Sequence, residues 1–188
     1  MPRTPAPNRP STACMIAPLA IAPLAIAAAA TLLAVTAQAD EMHDHGKHVH
    51  GEVALNVAVE GGTLTVEIDT PAAQVLGFEK SPRNEAERAA VTSAEAWFRS
   101  GREMVGVPTA AACRLASVDF TAPKLGSGHA DYRARYRFTC ANPAALDWFE
   151  PRVLRRLKDV EKAEANVIGP GVQRQETLTA PDRRVPLR

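Results

Sequence analysis

The sequence predicts an α+β fold, a mostly antiparallel sheet built from hairpins with one long helix packed across it. Three observations predict it. Apolar and polar residues alternate on both sides of Gly61-Gly62, helical spacing of apolar residues occupies one stretch near the middle of the chain, and two cysteines flank a Gly-Ser-Gly turn at matching distances. Strands gathered around a single long helix read as α+β.

The first hairpin is expected from His48 to Asp69. Val53, Leu55, Val57 and Val59 alternate with polar or small residues, Gly61-Gly62 turn, and Leu64, Val66 and Ile68 alternate again. Pro71 ends the second strand, and Ala72 to Glu79 form a short apolar connection that suits a helical turn. The long helix is expected from about Pro82 to Ser100, with Ser81 as N-cap and Pro82 in the first helical position, or starting one turn later at Asn84 and Glu87. Its apolar side is Ala90, Val91, Ala94, Trp97 and Phe98, and Gly101, Gly106 and Pro108 mark its end.

Two further strands are expected at Ala112 to Thr121 and His129 to Thr139. The second sets Tyr132, Ala134, Tyr136 and Phe138 against Arg133, Arg135 and Arg137, most simply a solvated face. Gly126-Ser127-Gly128 lies midway between Cys113 and Cys140, so a hairpin centred there places the cysteines opposite each other. A disulfide is the default reading for an even pair in an exported protein, worth about 3 to 4 kcal/mol on the chain-entropy model, with a reduced metal-thiolate pair a distant second. Leu146 to Phe149 suit a short strand and Pro151 to Lys158 a short helix. Ala163 to Ile168 and Val172 to Thr179, around Gly169-Pro170-Gly171, suit a last hairpin.

Residues 1–39 read as a secretory leader. Arg3 and Arg9 precede an apolar run from Met15 to Val35 that closes on Ala37-Gln38-Ala39, an A-x-A cleavage pattern, and Pro18 and Pro23 argue against a membrane anchor. What remains is a flexible His-rich segment, residues 40–47, and one domain, residues 48–188, together about 150 residues in a periplasmic location. The whole chain carries 22 basic and 21 acidic residues, a balance that does not suit nucleic acid.

Four of the five histidines fall together in His43-Asp44-His45-Gly46-Lys47-His48-Val49-His50, with Glu41 and Glu52 just outside. Imidazole nitrogen and carboxylate oxygen suit zinc. If the first strand starts at His48, its core face is Val49, Gly51, Val53, Leu55 and Val57, which leaves His48, His50 and Glu52 together on the other face. A fourth ligand would come from His129, Glu79, Asp131 or water. His43 and His45 precede the strand and form the weaker pair. The bland reading is a solvated tail that binds metal weakly, as any His-rich tract does. Copper or nickel is a minority alternative, because copper outcompetes zinc at most nitrogen sites and trimming Asp40 would leave His43 third from a free amine. Lone His129 reads most simply as a turn or surface residue, and Trp97, Phe98, Trp148 and Phe149 as core or rim.

Several stretches in order resemble the ZrgA-type periplasmic zinc-uptake proteins. They are His43-x-His45-Gly46-Lys47-His48-Val49-His50-Gly51, Ala54 to Gly61, Pro71-Ala72, Gly77-Phe78-Glu79, single Cys113, and Gly128-His129-Ala130-Asp131-Tyr132 running into Tyr136-Arg137-Phe138-x-Cys140. The resemblance implies zinc binding in the periplasm and assistance to high-affinity uptake, with metal passed to the binding-protein component of an ABC transporter. Two departures stand out. The family's long His-rich run between the cysteines is replaced here by Ala122 to Gly128, and Lys80 stands where members often place His after Gly-Phe-Glu.

The functional expectation is therefore a non-enzymatic periplasmic protein that buffers or relays zinc, with His48, His50 and Glu52 as first ligands and His43, His45, His129 and Glu79 next. Two other classes compete. A metal-independent envelope interaction module would treat the histidines as incidental. A small metalloenzyme would use the open zinc position, yet the chain has no H-E-x-x-H and no nucleophile elbow.

Overall fold

The computed structural model describes residues 51–128 and 130–188. The expected leader, the 40–47 segment and all five histidines lie outside them. Eight strands are described: β1 (Glu52–Glu60), β2 (Thr63–Pro71), β3 (Cys113–Thr121), β4 (Asp131–Cys140), β5 (Trp148–Phe149), β6 (Lys162–Gly169), β7 (Val172–Leu178) and β8 (Val185–Pro186). Two α-helices accompany them, α1 (Ala72–Leu76) and α2 (Glu85–Ser100). Six strands form one sheet in the order β3-β4-β2-β1-β6-β7, and β5 pairs with β8 in a small second sheet.

The three hairpins β1–β2, β3–β4 and β6–β7 form where turn residues interrupt alternation. β1 takes Leu55 opposite Ile68 and Val57 opposite Val66, so its buried residues stay on one face. Cys113 stands opposite Cys140 and is disulfide-bonded to it, as expected. The register of β3 on β4 shifts between Leu115 and Ser117.

The expected α+β class is corrected: the described residues are mostly β, their principal sheet is mixed, and among them no long helix covers it. β1 pairs in parallel with β6, Val53 beside Ala163 and Val57 beside Val167, so the last hairpin joins the first inside one sheet. Helix α2 buries just Ala94 and Phe98. The apolar spacing that suggested a broad core-facing stripe includes Ala90, which is exposed, and Val91 and Trp97, which are half-buried. The core instead draws on side chains from irregular and short segments, Met104, Ala111, Leu146, Phe149, Val153, Leu154, Val185 and Leu187. Residues expected as a short helix from Pro151 to Lys158 form a 3-10 turn over Arg152–Arg155.

Helix α2 starts at the later of the two expected positions. Asn84 Oδ1 accepts the Glu87 N–H at 2.9 Å, and Glu87 Oε2 accepts the Arg83 N–H at 2.7 Å, a reciprocal arrangement that satisfies donors no helical carbonyl can reach. Gly101, at φ 62°, ends the helix in the left-handed region. Tyr136, buried on β4, donates its hydroxyl to Phe98 O at 2.9 Å and ties that end of α2 to the sheet.

Candidate metal-binding edge

β1 and β4 each run antiparallel to β2, so they point the same way and open at the same end of the sheet. Ala54 pairs with Asp69 and Pro71 with Asp131. Glu52, two residues before Ala54, therefore comes level with Pro71 and with Asp131, two strand spacings away, roughly 10 Å. The inner face of β1 carries Val53, Leu55 and Val57, and that of β4 carries Tyr132, Ala134, Tyr136 and Phe138. Glu52 and Asp131 thus lie on the outer, polar face.

Glu52 is half-buried, and its carboxylate is engaged. Lys162 Nζ lies 2.8 Å from Glu52 Oε1 and 3.6 Å from Glu164 Oε1. The hydrogen bond to Glu52 is the first cause that holds the Lys162 ammonium pKa above its ordinary value, with the charge of Glu164 adding to it. Glu164 itself accepts the Thr177 hydroxyl at 3.0 Å.

Beside this pair, Arg133 bridges two carboxylates, with Nε 2.8 Å from Asp69 Oδ2 and an Nη 3.4 Å from Asp131 Oδ2. One row further in, Arg135 Nε meets Glu67 Oε1 at 2.6 Å. The arginine face expected to be merely solvated is therefore knitted to β2 by cross-strand ion pairs. Alternation located the arginines; their cross-strand partners, Asp69 and Glu67, sit on β2, whose register against β4 cannot be read from local sequence.

Glu79 is half-buried, and its backbone carbonyl accepts the Gly126 N–H at 2.9 Å. That bond sets Glu79 against the loop leading into position 129. Glu161, which sequence reasoning missed, donates its N–H to Gly51 O at 2.9 Å, and its side chain fills the space above Gly51. A Cβ at Gly51 would lie 2.9 Å from Glu161 Cγ.

Gly51 also bears on the strand phase. Its φ is +86°, and β1 begins after it rather than at His48. Strict alternation holds along an extended chain and is not carried across a left-handed residue. The alternation that would put His48 and His50 on the face of Glu52 is therefore not carried past Gly51. His43, His45, His48, His50 and His129 lie outside the described residues. Among the described residues no three His, Cys, Asp or Glu side chains converge to hold a metal ion. What these residues supply at the edge is carboxylate oxygen, which zinc accepts alongside imidazole nitrogen.

A family model described as ZrgA family zinc uptake protein matches residues 47–187. The chain belongs to the ZrgA family. No curated protein matches it. The ZrgA match spans all eight described strands and takes in His48, His50, Glu52, Glu79, Cys113, His129 and Cys140, whereas His43 and His45 precede it. The family is one of zinc uptake proteins, so zinc is the ion against which the oxygen donors of this edge are to be weighed.

Proposed function

We propose that this ZrgA-family protein is exported to the periplasm, binds zinc reversibly without catalysing a reaction, and buffers or relays the ion for high-affinity uptake. His48 and His50 supply nitrogen and Glu52 oxygen; His129, Glu79, His43 and His45 are the further candidates. The observation that carries this reading is the family match beginning at the His-rich stretch. The shared opening of β1 and β4 supports it, because residues 50 and 129 each stand two positions before a strand start, and the two strands start at the same end of one sheet.

Reversible coordination suits a relay. A closed thiolate site holds its ion, and both mature cysteines are consumed in the disulfide. Imidazole and carboxylate ligands release metal as they protonate, so affinity falls as pH drops through about 6 to 7. The recipient we propose is the binding-protein component of a zinc ABC transporter.

The test is zinc titration by calorimetry of the tag-free chain from Asp40 onward, beside a His48→Ala, His50→Ala double variant, with metal content measured by elemental analysis. Saturable binding that the double variant loses supports the reading. Weak, non-saturating binding, or binding the variant retains, overturns it.

A further inference from the structure

We infer that Lys162 is a built-in competitor for zinc at Glu52, setting the affinity low enough for release. The inference rests on the zinc-binding reading above and on Glu52 being a ligand within it.

The geometry is specific. Lys162 opens β6 as Glu52 opens β1, and the two are register partners in the parallel pair. The Lys162 N–H reaches Gly51 O at 3.2 Å, so the backbone of β6 is fixed against the residue that follows His50. From there the side chain brings its ammonium 2.8 Å from Glu52 Oε1. A zinc ion binding that oxygen competes with the ammonium, because the two cations repel each other across one carboxylate and draw on the same oxygen's lone pairs.

The displaced ammonium has a second acceptor in place. Glu164 lies two residues along β6, on the same face, with Oε1 3.6 Å from Lys162 Nζ. Glu164 is oriented by the Thr177 hydroxyl on β7. A small shift toward Glu164 keeps the ammonium paired, so the exchange leaves no buried, uncompensated charge and is readily reversed. A partner that draws zinc away is helped by the return of Lys162 to Glu52. Both side chains are about one-third exposed, 39% for Lys162 and 32% for Glu52, so the competition is partly screened by solvent and modest in size.

The experiment is competitive zinc titration against a chromogenic chelator, at low and high salt, on the tag-free chain and four variants: Lys162→Gln, Lys162→Arg, Glu52→Gln, and Lys162→Gln combined with Glu52→Gln. Circular dichroism confirms that each is folded. Lys162→Gln is expected to bind zinc roughly three- to fivefold more tightly than the parent at low salt, and less so at high salt. Lys162→Arg retains the parent affinity. In the Glu52→Gln background, removing Lys162 gives no gain.

Parent-like or weaker binding by Lys162→Gln overturns the inference, as does a gain that persists in the Glu52→Gln background, which would make Lys162 a distant charge rather than a competitor. Failure of the underlying reading looks different: the parent itself then lacks saturable zinc binding.

Discussion

Cys113, the first residue of β3, stands opposite Cys140, the last residue of β4, and the two are joined by a disulfide. The bond closes the hairpin at the end away from its 122–130 turn. β3 is an edge strand whose residues are half-buried or exposed, so little apolar burial holds it to the sheet once the bond is cut.

Reduction, or a Cys113→Ser, Cys140→Ser double variant, is therefore expected to cost about 3 to 4 kcal/mol, most of it through the freedom regained by the unfolded chain. Urea unfolding with and without reductant measures it. The early loss of hydrogen-exchange protection should fall on β3 and on α2, which packs beside it. Uniform loss across the sheet would contradict the assignment of the bond to edge retention.

Asn84→Ala is expected to cost about 1 kcal/mol, because the Glu87 N–H loses its acceptor at the start of α2, and Asn84→Asp to be nearly neutral. The Glu87 carboxyl is held below its usual pKa, first by the Lys80 ammonium at 2.7 Å and then by the Arg83 N–H. A depressed folded pKa gives stability that is present above the unfolded value and lost as pH falls through the folded one. Glu87→Gln should thus flatten the acid limb of the unfolding curve, which a series of midpoints from neutral to acid pH reads directly.

The hairpins were legible because each is local: alternation defines a face and Gly61-Gly62 or Gly126-Ser127-Gly128 the reversal. The parallel pairing of β1 with β6 was not, since no turn joins them and nothing in Glu52 announces Lys162 as its neighbour. The helix misled for a physical reason. Small residues such as Ala90 fit either a core stripe or a solvated helix, and the inner sheet face found cover in Leu146, Phe149, Val153 and Leu187 from segments without periodicity. At the site, the candidate oxygen donor Glu52 was readable from its phase next to Val53, while the ion pairs of Asp69 and Glu67 depended on the register of β2 against β4.

The two tyrosines behave differently when their hydroxyls are removed. Tyr136→Phe gives up the 2.9 Å bond to Phe98 O and is expected to cost about 1 kcal/mol. Tyr132 stacks on Phe98 with a buried hydroxyl that has no hydrogen-bond partner among the described residues, so Tyr132→Phe should be neutral or slightly stabilising at neutral pH. Burial, with the nearby Glu95 charge adding, pushes the Tyr132 phenol up to about 12, and burial raises that of Tyr136 as well. The unfolded chain loses these protons near pH 10 while the folded chain keeps them, so stability is intact below pH 10 and declines as pH rises toward 12 and beyond. Phenolate absorbance followed against pH, together with unfolding midpoints, checks both parts.

Gly51 joins the histidine stretch to the sheet, and a side chain there meets two obstacles. Its φ of +86° disfavours any L-residue with a Cβ, and that Cβ would lie 2.9 Å from Glu161 Cγ. Gly51→Ala is therefore expected to cost about 1 to 2 kcal/mol through backbone strain alone. Glu161 is an exposed residue, so a rotation of its side chain into solvent would relieve the steric part. The consequence for function follows from position: either the chain relaxes toward an extended φ, which redirects everything before residue 51 relative to Glu52, or it keeps its course under strain. The first outcome weakens zinc binding far more than it weakens the fold. Comparing the zinc dissociation constant with the urea midpoint for Gly51→Ala, and for the paired Gly51→Ala, Glu161→Ala variant that removes the obstacle but keeps the φ, separates the two. If zinc affinity stays at the parent value in both, the turn at Gly51 has no part in aiming the histidines at the sheet edge.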